Sequence, residues 1–369
     1  MPPDHLIYQI AFSSIRNLTP EFAKALLDRI GSEEHFFELT EAQLSAVMGF
    51  RNRLFSDSVR HKALEEARKE EPFVTTNSIS AIYFLDDRYP KRLLECPDAP
   101  LMLYGLGDTD LNNARFVSIV GTRHATVYGN SFVEKFVDEL AAKLDEKLVI
   151  ISGLAYGIDI AAHRAALKNG IPTIAVLAHG LNTIYPATHR STAVDIVKTG
   201  GMLLSDYRSI DTTHRGNFLA RNRIVAGLCD YLIVAESAIR GGALVTARLA
   251  SGYNREVMAL PGRISDKYSA GCNELISSNI AALITSADDL IEMSGWNVKE
   301  TEGSQKELFV NLTPEEEAIL DIMTDRGEVM INDLSAQIDM PIHRLMGLLI
   351  DMEFRSLITH IPGGRYRRL

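Results

Sequence analysis

The stretch of the chain richest in potential chemistry reads Arg215-Gly216-Asn217-Phe218-Leu219-Ala220-Arg221-Asn222-Arg223. A guanidinium presents a planar fork of N–H donors that matches phosphate geometry, so these arginines suit a polyanion. If the segment from Asn217 onward is helical, Phe218 and Arg221 share a face at i, i+3. Asn222 shares one with core-facing Ala226 at i, i+4, which brings polar groups to the edge of a cleft. Phe218 then either fills the core or stacks on a base, as aromatics do where single strands are held without sequence readout. The plain structural alternative leaves the arginines solvated.

Glycine-rich loops supply further candidates. Gly121-Thr122-Arg123 follows an apolar run: the glycine admits close backbone approach, the hydroxyl can donate, and the guanidinium can grip a phosphate. Ser152-Gly153-Leu154-Ala155-Tyr156-Gly157 precedes an Ala-rich helix and has the makings of an anion cradle. Its spacing fits neither G-x-G-x-x-G nor G-x-x-x-x-G-K-[ST], which removes the dinucleotide and P-loop signatures. His163, on that helix, reads as a packing histidine. Gly241-Gly242, Pro261-Gly262 and Gly271-Cys272-Asn273 each end a strand or open a helix, and Lys267 lies between the last two. Singly these are turns; together they would line a long groove, which suits a polymer better than a mononucleotide.

These loops need a scaffold. Residues 1–72 read as a small helical domain: Thr19-Pro20-Glu21 starts one helix, Thr40-Glu41-Ala42-Gln43 fits a capping box, and a charged helix ends before Pro72. Over residues 73–296 short apolar runs alternate with helical stretches: FVSIV (116–120), LVIIS (148–152), TIAVLA (173–178), MLLSD (202–206), YLIVA (231–235) and VMAL (257–260). Strands covered by helices on both faces read as such unbroken runs, so the fold class is α/β, a doubly wound, Rossmann-like, mainly parallel sheet. Ligands of such sheets sit beyond the carboxyl ends of the strands, where the glycine loops fall. Residues 297–311 are polar and acidic and read as a linker. Residues 312–369, with helix starts at Thr313-Pro314 and Asn332-Asp333, a third helix over 342–354 and a hairpin around Pro362-Gly363-Gly364, suggest a winged helix.

Composition sets the outer bounds. With 46% hydrophobic and 23% charged residues the chain can bury a sizeable core in two or three domains. Cys96, Cys229 and Cys272 lack metal-ligand spacing and read as reduced thiols. No run approaches a membrane span and no leader pattern opens the chain, so a cytoplasmic protein without metal or cofactor is expected. The net charge of −10 opposes a nucleic-acid partner on the whole-chain scale, but between Pro186 and Ala270 eleven Lys or Arg face seven Asp or Glu. Because screening confines exposed charges to about 8 Å at physiological salt, a local basic patch can still bind a polyanion.

The motifs IVGTR, ISGLAYGIDIAAH, RNRIVAGL, GGALVTARLA, ALPG and GCNELI, in this order and led by YFLDDRYPKRLLECPDAPLMLYGLG, resemble the DNA-processing protein A (DprA/Smf) family over residues 79–295. The flanking helical, sterile-alpha-motif-like or helix-hairpin-helix-like domain and the winged helix fall in the same places. The resemblance implies a homodimeric, non-enzymatic binder of single-stranded DNA that protects incoming strands and helps load the RecA recombinase in natural transformation. Carried over, Arg123, Arg221 and Arg223 would grip phosphates. Gly121, Thr122, Ser152, Gly153, Gly157, Gly241 and Gly242 would give backbone or hydroxyl contacts, with Phe218, Asn222, Lys267 and Asn273 completing the nucleic-acid site.

This chain departs from the family at Gly241 or Ala243, where a serine is usual, and at Cys272, where a threonine is. Asn17-Leu18-Thr19 replaces the paired glycines of a helix-hairpin-helix, so the first domain is expected to support the core or a dimer. The third helix of the winged helix sets Asp351 and Glu353 against His343 and Arg344, a composition for protein contact rather than a major groove. Arg365, Arg367 and Arg368 would touch phosphate or form a solvated tail. The rival class is an enzyme of the lysine-decarboxylase-like phosphoribohydrolase type, for which Asp159 and Glu236 are the best-placed acids, although no P-G-G-x-G-T signature is present. A regulator reading duplex DNA would need a more basic third helix.

Overall fold

The computed structural model describes residues 3–299, 312–355, 357–361 and 364–368, and the chain divides into two compact units, 1–299 and 300–369. The first opens with five helices, α1 (Pro3–Ser13), α2 (Pro20–Ile30), α3 (Glu33–Glu38), α4 (Glu41–Met48) and α5 (Asp57–Thr76). Thr19 caps α2, and Thr40 with Gln43 forms the expected capping box at α4. Pro72 does not end α5, which runs through it to Thr76. A mid-helix proline costs one hydrogen bond and crowds the preceding turn. Burial on both sides of it offsets that cost: Val74 is buried, and buried Glu70 accepts hydrogen bonds from the Ser209 amide (2.8 Å) and hydroxyl (2.5 Å).

The remaining elements of this unit are β1 (Ser80–Tyr83), α6 (Lys91–Leu94), β2 (Met102–Gly107), β3 (Arg115–Val120), α7 (Val127–Lys143), β4 (Leu148–Ser152), α8 (Ile158–Lys168), β5 (Thr173–Val176), α9 (Arg190–Lys198), β6 (Met202–Ser205), α10 (Arg215–Leu228), β7 (Tyr231–Val234), α11 (Gly242–Gly252), β8 (Glu256–Ala259), α12 (Ala270–Ser277), β9 (Ala282–Leu283) and α13 (Ala287–Ser294). All six expected strands are present. They form one nine-stranded sheet in the order β1-β2-β6-β5-β4-β3-β7-β8-β9, parallel from β6 through β9 and antiparallel where β2 meets β6 and β1. Alternate residues explain the unbroken apolar runs: Phe116 and Val120 of β3 enter one hydrophobic cluster, Val117 and Ile119 the other. Helices α1–α5 share the first of these clusters with the sheet, through Phe12, Leu26, Phe36, Leu44 and Ala67 among others.

The expected linker 297–311 lies mostly outside the described residues. Its first residues pair with the end of α7, Val298 bridging Leu144 and the Lys299 amide donating to Lys143 O at 2.7 Å. The second unit holds α14 (Pro314–Arg326), β10 (Glu328–Met330), α15 (Ile331–Ile338), α16 (Ile342–Phe354), β11 (Ile358–Ile361) and β12 (Arg365–Arg368), its three strands antiparallel in the order β10-β12-β11. Thr313 and Glu316 form the capping box that starts α14, and Pro362 and Gly363 lie outside the described residues. Leu320, Leu334, Leu345, Leu349 and Ile358 are among its core residues.

Candidate nucleic-acid interface

The strand order reverses between β3 and β7, so the chain leaves these neighbouring strands toward opposite faces and opens a crevice at their carboxyl ends. Two loops border it, Gly121–Ala125 after β3 and the segment from Glu236 after β7. They are tied together by the Thr122 amide, which donates to Glu236 O at 2.7 Å. A Cβ at Gly121 would overlap Ile158, and Gly157, at φ +76°, packs so closely on Thr122 and Arg123 that no side chain fits. The two glycines thus hold the Arg123 loop against the start of α8. Neither α8 nor α11 has a side-chain cap at its N-terminus; the first amide of α8, that of Ile158, donates instead to Thr122 O at 3.2 Å, which ties the helix start to the loop after β3.

Cations and aromatics form a continuous band along this rim. Exposed Arg123 lies with Cζ 5.5 Å from the Phe218 ring centroid, and Phe218 meets Tyr185 edge to face at 5.6 Å. Beside Arg123, His124 stacks on Tyr268 at 6.2 Å, and Lys267 Nζ lies 5.4 Å from the Tyr268 ring. Tyr156 rests edge-on against His189 at 4.9 Å. Tyr185 and Tyr156 are 53% and 46% exposed, open to solvent at the rim. Arg123 has no ion pair among the described residues, so its charge is not neutralised within the protein.

The other predicted residues divide by environment. Arg221 is only 4% exposed: Nη1 donates to Gly153 O at 2.8 Å and to Val176 O, and Nε to Asn222 Oδ1 at 3.3 Å. Burial lowers its proton affinity against the pull of nearby Asp159. It braces the ends of β4 and β5 from beneath the rim. Gly153 is glycine for this reason, since a Cβ there would overlap the guanidinium. Arg223 points to the opposite side of α10, where it binds Asp98 O at 2.7 Å and pairs with Asp206. Ser152 is fully buried and donates to Ile119 O at 2.6 Å, and Asn273 pins Gly262 through its amide and carbonyl at 3.2 and 2.9 Å. A Cβ at Gly241 would overlap the Ser237 hydroxyl, while Gly242 is exposed with open space around it.

The structure thus brings Arg123, Phe218 and the Thr122 loop together, with Lys267 reaching the band through Tyr268 and His124, and sets Arg221, Ser152, Asn273 and Arg223 to internal contacts. Sequence reasoning missed Tyr156, Tyr185, His124 and Tyr268. Their signal was present, since each sits in or beside a glycine- or proline-containing loop at a strand end.

The acids of the enzymatic alternative are also engaged. Glu236 accepts from the Thr126 amide at 2.8 Å and hydroxyl at 2.6 Å, so it caps α7 rather than the helix that follows it. Asp159 is buried, which raises its pKa, and it accepts the Ala155 amide at 3.4 Å. His163 is buried against Thr173 at 2.7 Å with its pKa pushed down to about 3, first by desolvation and then by Arg221, which fits a packing histidine. Burial likewise raises the thiols, Cys96 to about 11 and Cys229 and Cys272 to about 12, and all three are free. Among the described residues no cluster of His, Cys, Asp or Glu could hold a metal, and no helix is long and apolar enough to cross a membrane.

Fold and rim together define a doubly wound α/β protein whose switch-point crevice is edged by an unneutralised arginine and aromatic faces. Comparison with known proteins agrees with this class and sharpens it. The family model for DNA recombination-mediator protein A matches residues 80–295, and the chain belongs to that family. It is 39% identical to the DNA processing protein DprA of Streptococcus pneumoniae over 69% of this chain and 86% of the relative. It is 33% identical to protein Smf of Escherichia coli over 76% and 75%. Among solved structures, that of DprA from S. pneumoniae superposes with a TM-score of 0.62 at 34% identity, covering 78% of this chain and 96% of that one. DNA processing protein A from Helicobacter pylori, described for its single-stranded DNA binding mode, gives 0.52 at 31% identity over 59% and 97%.

Proposed function

We propose that this chain binds single-stranded DNA without catalysing a reaction on it, laying the strand along the rim from Lys267 past Arg123 to Tyr185. The observation that carries the reading is the alternation of cation and aromatic, which matches the alternation of phosphate and base in an unpaired strand. A duplex hides its base faces and gains nothing from Phe218 or Tyr185. The single-stranded DNA binding of the H. pylori relative supports the same ligand. The two acids of the enzymatic alternative, Asp159 and Glu236, are buried and hydrogen-bonded, which argues against their use in catalysis.

In this reading the protein acts in the cytoplasm as a homodimer that doubles the groove, protects incoming strands and assists RecA loading during natural transformation. Family membership supports that role. The second unit is a winged helix given to protein contact: over residues 312–369 ten Asp or Glu stand against six Arg, and Arg344 is paired with Glu315 at 2.8 Å and Arg365 with Glu328 at 3.6 Å, while Arg367 and Arg368 on β12 are exposed without an ion pair among the described residues. Fluorescence anisotropy with labelled oligo(dT) and the matching duplex over a salt series tests the core claim. Salt-sensitive, single-strand-preferring binding that Arg123→Ala weakens is expected; equal affinity for duplex, or indifference to Arg123→Ala, would overturn it.

A further inference from the structure

The Arg123 loop also borders a second concavity. A cleft of about 480 Å³ lies between α7 and α8, lined by Arg123, Asn130, Glu134, Ala161, Arg164 and Lys168 among others. That is within the range of small-ligand pockets. Its charges are unevenly satisfied. Lys168 pairs with Glu134 at 2.8 Å and with Asp138 at 3.1 Å, one cation between two acids, which leaves one negative charge in excess. Arg164, one helical turn earlier on the same face, is exposed and has no ion pair or side-chain hydrogen bond among the described residues.

Like charges at i, i+4 destabilise a helix by a few tenths of a kcal/mol, and Arg164 has no ion pair among the described residues that would offset this. On a chain of net charge −10, two arginines without an ion pair among the described residues, Arg123 and Arg164, converge on one cleft. Gly157, Ala161 and Ala165 keep its wall on α8 low, so a strand's backbone can approach, and the Asn130 amide faces it from α7.

We propose that this cleft is a phosphate-binding extension of the strand path, in which DNA leaving the rim at Arg123 turns between α7 and α8 and Arg164 takes the next phosphate. This rests on the single-strand reading of the rim and adds a direction and an exit to it. The test is anisotropy with a ladder of labelled oligo(dT) lengths and a salt series, for wild type, Arg164→Ala, Arg164→Lys, Arg123→Ala and, as a charge control, Lys24→Ala on α2. Arg164→Ala should leave the shortest bound oligonucleotides unaffected, weaken long ones by about tenfold, and reduce the salt slope by about 0.7, one phosphate's worth for a single strand. Arg164→Lys should restore the slope.

Equal behaviour of Arg164→Ala and Lys24→Ala at every length would overturn the exit path while leaving the rim intact, provided Arg123→Ala still weakens binding. Loss of all oligonucleotide binding by wild type itself would remove both. Thermal stabilisation by inorganic phosphate or dTMP that Arg164→Ala abolishes, without any effect on the length series, would assign the cleft to a free anion and overturn the strand path.

Discussion

Arg123 and Arg221 carry the same charge and are given opposite surroundings, which predicts opposite responses to truncation. Arg221→Ala would strand the Gly153 and Val176 carbonyls and leave Asp159 without its nearby cation. Unpaired buried polar groups cost roughly 1–3 kcal/mol each, so urea unfolding should show a loss of at least about 2 kcal/mol. Gly153→Ala should reproduce much of it, because the guanidinium that a Cβ would overlap is fixed by its own hydrogen bonds. Arg123→Ala, on an exposed loop, should leave the unfolding midpoint within experimental error and lower oligo(dT) affinity. Phe218→Ala should cost about 1–3 kcal/mol of single-strand binding if the ring stacks on a base. A normal affinity for Phe218→Ala would return Phe218 to the role of a platform for Arg123 and Tyr185 alone.

At the scale of elements, α8 is joined to β5 by buried His163, whose ring nitrogen meets the Thr173 hydroxyl. Its pKa falls from 6.5 to about 3 on folding, so below 6.5 the unfolded chain binds a proton that the folded chain refuses. Stability should therefore be full above pH 6.5 and decline as pH falls toward 3, by up to about 1.4 kcal/mol per pH unit from this residue. His163→Gln should flatten that slope, and an unchanged slope would show that other groups set it. The same elements show what a sequence discloses. The parallel strands β3 to β8 were legible because burial on both faces leaves an unbroken apolar run, whereas β9, only two residues long, was not. Strands β1 and β2 were not: SAIY is short, MLYGLG carries two glycines, and both pair antiparallel at the sheet's edge. Pro72 misled because local propensity was overruled by the burial of Glu70 and Val74. For α10 the helix could be inferred but not its orientation, and orientation alone decides that Arg221 lies under the rim, Arg223 beyond it and Phe218 on it.

For the whole molecule, an acidic chain can bind a polyanion only through local charge, so its affinity should depend on few contacts. A plot of log affinity against log salt for single strands should have a slope of about −2 to −3, in keeping with Arg123, Lys267 and one or two partners at about 0.7 each. A much steeper slope would mean that a larger basic surface, such as one shared across a dimer, takes part. The site was legible as a set of loops because strand ends in a doubly wound sheet must converge; its aromatic half was not, because exposure of Tyr185 and Tyr156 is a property of the fold.

The five N-terminal helices also share a single hydrophobic cluster with one face of the sheet. A chain cut at residue 80, where the family match begins, would strip the cover from Ile82, Tyr104 and the other sheet residues of that cluster. Such a fragment is expected to be insoluble rather than a minimal DNA binder. Seen this way, the helices serve the groove as the other half of its foundation, so a lesion in Phe36 or Val74 should impair DNA binding through the amount of folded protein rather than through any contact with the strand.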